Sequence, residues 1–185
     1  MKILILSSYS SPYKVSFWSG TSRNIIEEIS KCSGVVVEGQ CVLFTHLISK
    51  AIAGIELIFG MDLRRSIFRN FVTNLFLIFH VRRKSNIYDQ IVFLDTVCNP
   101  YFARRKSSKV RMSLLLDSTV CQWVTGSEWG RSSTSRRKNR RIRYERNVLR
   151  NFDHFYSLTD SAINSLKEDF YVNESKISRD RKSTR

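Results

Sequence analysis

Apolar residues follow two different patterns along the chain. Residues 2–6 (KILIL) form a short continuous apolar run, which is typical of a strand that is buried on both faces. Residues 21–34 instead carry isoleucines at helical spacing, after Thr21 or Ser22 as the helix cap and before Gly34 as its end. The chain is therefore predicted to begin with a strand, a polar loop over residues 7–19 and a helix.

The same alternation continues towards the C-terminus. Valine-rich residues 35–44 predict one strand, or two strands joined by a turn at residues 38–40. Residues 46–85 predict one or two helices with a break at Gly60. Further strands are predicted over residues 88–94, 110–116 and 154–158, a turn at Asn99-Pro100, and further helices over residues 136–151 and 159–170. This order predicts an α/β fold, namely a Rossmann-like parallel sheet with helices on both faces.

Polar residues follow three of the predicted strands. They are the loop of residues 7–21, Asp95 after the strand of residues 88–94, and Asp117-Ser118-Thr119 after the strand of residues 110–116. Ligands of parallel sheets bind at the carboxyl ends of the strands, so these residues are candidates for a binding site. Asp95 and Asp117-Ser118-Thr119 could equally serve as helix caps or turns.

The Trp18-Ser19-Gly20-Thr21 turn directly precedes the first predicted helix. A glycine at this position lets backbone N–H groups approach an anion, and the helix N-terminus adds its dipole. The turn lacks the G-x-G-x-x-G pattern of dinucleotide sites and the G-K-[ST] ending of phosphate-binding loops. It could therefore bind phosphate or simply reverse the chain.

The net charge of +15 over 185 residues indicates an anionic partner. Residues 131–150 hold nine Lys or Arg and one acid, Glu145. This basic helix could bind nucleic acid or anionic lipid, or it could be a solvated face whose Ile142, Val148 and Leu149 turn towards the core. Aromatic interleaving and known nucleic-acid motifs are missing, so the sequence does not favour nucleic acid as the partner.

The cysteines and histidines are scattered. Cys32, Cys41, Cys98 and Cys121 include no C-x-x-C pair, and we expect no metal, no cofactor and no disulfide framework. Free thiols fit a reducing compartment, and the start of the chain lacks a secretory signal. The longest apolar run, residues 71–81, is too short to span a bilayer. We therefore expect a cytoplasmic protein, with peripheral membrane contact as a further option.

Several segments, taken in order, carry a resemblance to a known family. They are Trp18-Ser19-Gly20-Thr21 after the first strand, Tyr88-Asp89 at a strand start, Leu116-Asp117-Ser118-Thr119 at a strand end, Glu145, residues 151–162, residues 166–171 and Lys176-Ile177. Together they resemble the N-terminal domain of glycosyltransferase family 4 enzymes, which have the GT-B fold. The resemblance covers residues 1–177.

The resemblance implies a glycosyltransferase of hexosyltransferase type, which moves a sugar from a nucleotide-sugar donor to a hydroxyl of a glycan or lipid-linked acceptor. It implies that Ser19, Gly20 and Thr21 face the donor diphosphate. The acceptor side would be lined by Trp18, Asp95, Asp117, Ser118 and Thr119. It also implies that the helices of residues 46–85 lie near a membrane or a lipid-linked acceptor.

The chain departs from this family after residue 177. Residues 178–185 form a polar, basic tail that is not expected to form a buried strand, and the second, donor-binding domain of the family is absent from the sequence. We expect such a chain to be incomplete and inactive alone, unless a separate chain supplies the donor domain. The alternative is a non-catalytic basic module that binds nucleic acid or an acidic membrane surface.

Overall fold

The computed structural model describes residues 1–8, 11–14, 21–42, 51, 54–55, 58, 67–84, 86–103 and 110–179. Within these ranges the chain contains six strands, which form one parallel sheet in the order β2-β1-β3-β4-β5-β6. The strands are β1 (Lys2–Ser7), β2 (Val36–Cys41), β3 (Gln90–Phe93), β4 (Arg111–Leu116), β5 (His154–Ser157) and β6 (Ile177–Arg179). The predicted α/β class with a Rossmann-like parallel sheet is therefore confirmed.

Helices connect these strands. They are α1 (Thr21–Ser30), α2 (Ile67–Lys84), α3 (Pro100–Ala103), α4 (Val120–Gly126), α5 (Glu128–Ser132), α6 (Ser135–Leu149) and α7 (Asp160–Glu168), with a 3-10 turn at Glu174–Lys176. The longer helices α1, α6 and α7 lie where helices were predicted, and α2 falls within the predicted helical region of residues 46–85. At Asn99-Pro100, where a turn was predicted, the structure has the start of α3: Asn99 Oδ1 accepts the N–H of Tyr101, and the helix begins at Pro100.

The chain divides into two compact units, of which the first is Met1–Arg111. Strand β1 pairs in parallel with β2 and with β3, so that Leu4 lies between Glu38 and Ile91. Ile3–Leu6 and all four residues of β3 are buried. Burying an aliphatic side chain of this size stabilises a fold by about 1.5–3 kcal/mol, which explains why the continuous apolar runs become the central strands.

The possible turn at residues 38–40 is wrong, because β2 runs through these residues without interruption. Glu38, Gly39 and Gln40 pair with residues 4–6 of β1. The glycine is required for packing and not for a turn: a Cβ at Gly39 would lie 2.8 Å from the Tyr13 ring and 2.9 Å from Cγ of Pro12. Its missing side chain therefore makes room for the loop that follows β1.

The second unit is Met112–Arg185, of which residues 112–179 are described. Strand β5 pairs in parallel with β4 and with β6, and Phe155 is in register with Leu114 and Ile177. Phe152 and Phe155 pack edge to face in the core, with ring centroids 5.9 Å apart. Strand β6 includes Ser178 and Arg179, the first two residues of the predicted tail, and it is only partly buried. The structure does not test the predicted domain limit at residue 177, which stays a prediction.

Aspartates fix the starts of strands in both units. Asp89 Oδ2 accepts the N–H of Lys2 at 2.7 Å, and the Asp89 N–H donates to the Lys2 carbonyl. Asp153 Oδ2 accepts the N–H of Met112 at 2.8 Å, and its own N–H donates to the Met112 carbonyl. These reciprocal pairs set the parallel register at the point where each strand begins.

Candidate functional site

The loop between β1 and α1 contains the candidate donor site. Trp18, Ser19 and Gly20 lie outside the described residues, so their predicted roles stay predictions. Thr21 is the first residue of α1, as predicted, and no acidic side chain occupies the first turn of this helix. The partial positive charge of the N-terminus is therefore not neutralised by the helix's own first turn.

The described part of this loop, residues 11–14, is held on two sides. The Ser22 hydroxyl in the first turn of α1 donates to the carbonyl of Pro12 at 2.7 Å. The Gly39 N–H in β2 donates to the hydroxyl of Tyr13 at 3.0 Å. The loop is thus attached both to the helix that it leads into and to the edge strand β2.

Asp95 lies one residue beyond the buried run that ends β3, and its carboxylate is used within the fold. Oδ2 accepts the N–H of Ser8 at 3.0 Å, and Oδ1 accepts the N–H of Val97 at 3.0 Å. Burial raises the pKa of Asp95, while the hydrogen bonds from Ser8 and Val97 act in the opposite direction. The predicted contact of Asp95 with an acceptor remains untested, but both of its oxygens already hold backbone groups.

Ser8 is a residue that the sequence analysis did not single out. It is fully buried at the carboxyl end of β1 beside the Asp95 carboxylate, which accepts its N–H at 3.0 Å and whose charged form it favours. In the sequence, this polar position could have been found from the Ser7-Ser8 pair, which directly follows the apolar run of residues 2–6.

Asn74 of α2 fixes the loop that follows β3. Its side-chain N–H donates to the carbonyl of Val97 at 3.0 Å, and its Oδ1 accepts the N–H of Asn99 at 2.6 Å. Asn74 is buried together with Leu77 and Val81 on the inner face of this helix. The end of β3 is therefore held by Asp95 from within the loop and by Asn74 from the helix.

In the second unit, Thr119 of the predicted acceptor side is the N-cap of α4. Its Oγ1 accepts the N–H of Gln122, while Oε1 of Gln122 accepts the N–H of Thr119, which completes a capping box. The Thr119 hydroxyl also lies 2.6 Å from that of Ser165, which donates to Asp169 Oδ2. Thr119 is 1% exposed. Its hydroxyl therefore acts in the interior of the unit.

Asp117 differs from Thr119 because its side chain is exposed. The Ser118 hydroxyl donates to Asp117 Oδ1 at 3.0 Å, which brings these two predicted residues together. The carbonyl of Asp117 accepts the Thr159 hydroxyl at 2.7 Å, so the turn after β4 is tied to the turn after β5. An exposed carboxylate thus stands on a fixed backbone at the carboxyl end of β4.

Glu145 supports the same turn from α6. This carboxylate is 2% exposed, and its Oε2 accepts the N–H of Val120 at 2.7 Å. The bond occupies one of the free N–H groups at the start of α4. The single acid of the basic run is therefore not part of the charged surface. The predicted core positions Val148 and Leu149 are buried beside it, and Ile142 is half-buried.

Asp95 and Thr21 belong to the first unit, and Asp117, Ser118 and Thr119 belong to the second.

Among the residues that the structure describes, no group of three or more His, Cys, Asp or Glu side chains could hold a metal ion. His154 is buried and its Nε2 lies 2.8 Å from the Ser178 hydroxyl. Over the described ranges, no helix combines the length and the apolar character needed to cross a bilayer.

Comparison with known proteins adds no assignment to these observations. No protein-family model matches the chain, and no curated protein sequence matches it significantly. The glycosyltransferase family 4 resemblance therefore rests on the residues quoted for it in the sequence, and the fold is established by the parallel sheet itself.

Proposed function

We propose that this chain is the acceptor-side domain of a glycosyltransferase that transfers a sugar from a nucleotide-sugar to a hydroxyl group. The observation that carries the proposal is the exposed Asp117 carboxylate at the carboxyl end of β4. Carboxylates accept hydrogen bonds from sugar hydroxyls, and the carboxyl ends of parallel strands are where such sheets bind ligands.

The turn that carries Asp117 is suited to positioning a ligand. Thr159 holds its carbonyl, and the Thr119 cap with Gln122 fixes the backbone two residues later. Groups held in this way lose little conformational entropy when they bind. Asp117 and Ser118 would contact the acceptor, while Thr119 would maintain the turn.

The donor diphosphate is assigned to the loop that ends at Thr21. The N-terminus of α1 has no acid in its first turn, which favours binding of a phosphate group there. Ser19 and Gly20 would supply the neighbouring backbone N–H groups. In this proposal, a second, donor-binding domain contributes the rest of the nucleotide-sugar site.

Titration of the full chain with nucleotide-sugars and with sugar acceptors, alone and with a donor domain, tests this function. We expect the chain to bind the acceptor. Asp117→Asn should raise the acceptor Kd about tenfold, because it removes one hydrogen bond to a charged group. Glu174→Gln removes an exposed carboxylate elsewhere and should leave binding unchanged. Failure of both samples to bind a nucleotide-sugar or to transfer a sugar would exclude this enzymatic function, although the fold would stand.

We also propose that α2 forms a peripheral membrane contact. Phe71 and Leu75, one helical turn apart, are 61% and 43% exposed, and Phe76 beside them is 37% exposed. Basic residues flank these positions in the sequence at Arg69, Arg82 and Arg83. Exposed aromatic and aliphatic side chains next to basic ones are typical of helices that lie in a membrane interface.

Sedimentation with vesicles that contain phosphatidylglycerol tests this contact. Phe71→Ser with Leu75→Ser should release the chain from the vesicles. Val36→Ser with Ile87→Ser replaces two apolar side chains that are also exposed, and it should not. Equal binding by all three proteins would exclude α2 as the membrane contact.

A further inference from the structure

Helix α6 presents a line of arginines to solvent. Arg136, Arg140, Arg143 and Arg150 are exposed, whereas Glu145, Val148 and Leu149 are buried on the opposite side. The four arginines recur at spacings of four, three and seven residues, which places them on one helical face. We call this set the arginine stripe. At a rise of about 1.5 Å per residue it extends over about 21 Å.

The charges of the arginine stripe are not neutralised within the described part of the chain. None of the four side chains forms an ion pair with a carboxylate there. The only acid of α6, Glu145, is buried and accepts the N–H of Val120. Like charges one turn apart destabilise a helix, so the stripe retains an unfavourable arrangement.

Helix α1 shows how an ordinary solvated helix in the same chain differs. There, Arg23 pairs with Glu27 at 2.6 Å and Lys31 pairs with Glu28 at 2.5 Å. A solvated face that has no ligand can balance its charges in this way at little cost. The absence of acids on the exposed face of α6 therefore indicates an anionic partner that supplies the missing charge.

The chemistry of the exposed face favours nucleic acid over a membrane. Every exposed charged residue of α6 is an arginine. The arginine side chain binds phosphate through two parallel N–H groups. Asn139 and Asn147 are exposed on the same face and can both donate and accept hydrogen bonds. No apolar side chain of α6 is exposed, whereas a membrane-surface helix needs an apolar face.

We propose that the arginine stripe binds the phosphate backbone of double-stranded nucleic acid. A helix with its side chains is about 10–12 Å across, which matches the major groove of about 12 Å in B-form DNA. The sequence did not favour such a partner because it lacks aromatic interleaving and known nucleic-acid motifs, whereas the proposal rests on the exposed arginines of one helical face, which are unpaired within the described residues. The proposal concerns a surface separate from Asp117 and is independent of sugar transfer.

The test is the salt dependence of binding of the full chain to a labelled DNA duplex of about 20 base pairs, measured by fluorescence anisotropy between about 50 and 200 mM salt. Four phosphate contacts predict that log Kd rises with log salt concentration with a slope of about 3.6. The triple variant Arg136→Gln, Arg140→Gln, Arg143→Gln should weaken binding by at least about tenfold and reduce the slope to about 1.

A control variant with Lys2→Gln, Lys14→Gln and Lys176→Gln removes the same charge from exposed positions outside the stripe. It should keep both the affinity and the slope, and circular dichroism should show both variants folded. Equal losses in the two variants, or no duplex binding by the parent chain, would overturn the proposal. Loss of binding to phosphatidylglycerol vesicles instead of DNA in the arginine variant would also overturn it and assign the stripe to a membrane.

Discussion

The carboxylate of Asp95 accepts the backbone N–H of Ser8 at 3.0 Å, which joins the carboxyl ends of the neighbouring strands β3 and β1. Asp89 makes the equivalent bond to the N–H of Lys2 at the other end of the same strand pair. An aspartate next to β3 therefore holds each end of β1. Asp95 also accepts the N–H of Val97 and so shapes its own loop.

We expect Asp95→Asn to lower the free energy of unfolding by about 1–3 kcal/mol. The amide has only one oxygen, so its NH₂ group would face the N–H of either Ser8 or Val97, which would lose its acceptor. Urea unfolding measures this change. Asp160→Asn is the comparison variant, because Asp160 forms an exposed ion pair with Arg179, and such pairs contribute about 0–1 kcal/mol. Similar losses in the two variants would show that the Asp95 bonds contribute no more than that surface pair.

Burial raises the pKa of Asp95 above its ordinary value of 3.8. The folded protein then binds this proton more tightly than the unfolded chain does, so the stability that protonation of Asp95 adds is present below pH 3.8 and is lost as the pH rises through the raised pKa. The carboxyl carbon of Asp95, followed by NMR, should titrate above 3.8. A midpoint at or below 3.8 would show that the two N–H bonds outweigh burial.

Tyr88 donates a hydrogen bond to Glu38, and burial together with this bond raises the pKa of its phenol from 10.0 to about 12. The contribution of Tyr88 to stability is therefore complete below pH 10.0 and is lost as the pH rises towards about 12. Ultraviolet absorbance of the phenolate should show a component with this late midpoint. Tyr88→Phe should remove that component.

Thr119→Val removes the hydroxyl that caps α4 and contacts Ser165. We expect a loss of about 1–2 kcal/mol in the free energy of unfolding, the usual cost of losing such a cap. Ser165→Ala in a double-mutant cycle isolates the contact between the two hydroxyls, and we expect coupling above about 0.5 kcal/mol. Additive losses would mean that the two hydroxyls act independently.

A Cβ at Gly130 would overlap the carbonyl oxygen of Val124, because α5 approaches the end of α4 closely. Backbone cannot yield as a flexible side chain can, so Gly130→Ala should cost about 3 kcal/mol or more. Gly126→Ala is the matched control, since a Cβ there meets nothing within 4 Å and alanine favours the helix by up to about 1 kcal/mol. Thermal unfolding of the two variants should shift in opposite directions.

Strands β1 and β4 were predictable because their apolar runs, at residues 2–6 and 110–116, are continuous and become buried strands. Strand β6 was not predicted, because Ile177–Arg179 contain a single apolar residue and are only partly buried. The short helices α3, α4 and α5 were not predicted, because segments of four to seven residues show too little of a helical period. The turn considered at residues 38–40 failed because the glycine there serves packing across the sheet, which depends on residues distant in sequence.

The candidate site was predictable to a smaller extent. The positions of Asp95 and Asp117 after their strands followed from the pattern, but the use of each side chain did not. Aspartate and threonine serve equally as caps and as ligands, and only the partners in space, such as Ser8 or Ser165, distinguish these uses. The solvated face of α6 was among the predictions, with Val148 and Leu149 turned towards the core, but the burial of Glu145 was not, because its partner Val120 is distant in sequence.

The two aspartates beside β3 also bear on how the first unit opens. Strand β1 lies between β2 and β3, and Asp89 and Asp95 hold its two ends. Fraying from either end must break a charge-assisted hydrogen bond before any ladder bond is released. The amides of Leu4, Ile5 and Leu6 should therefore exchange with deuterium only when the whole unit unfolds, which makes them direct reporters of its global stability.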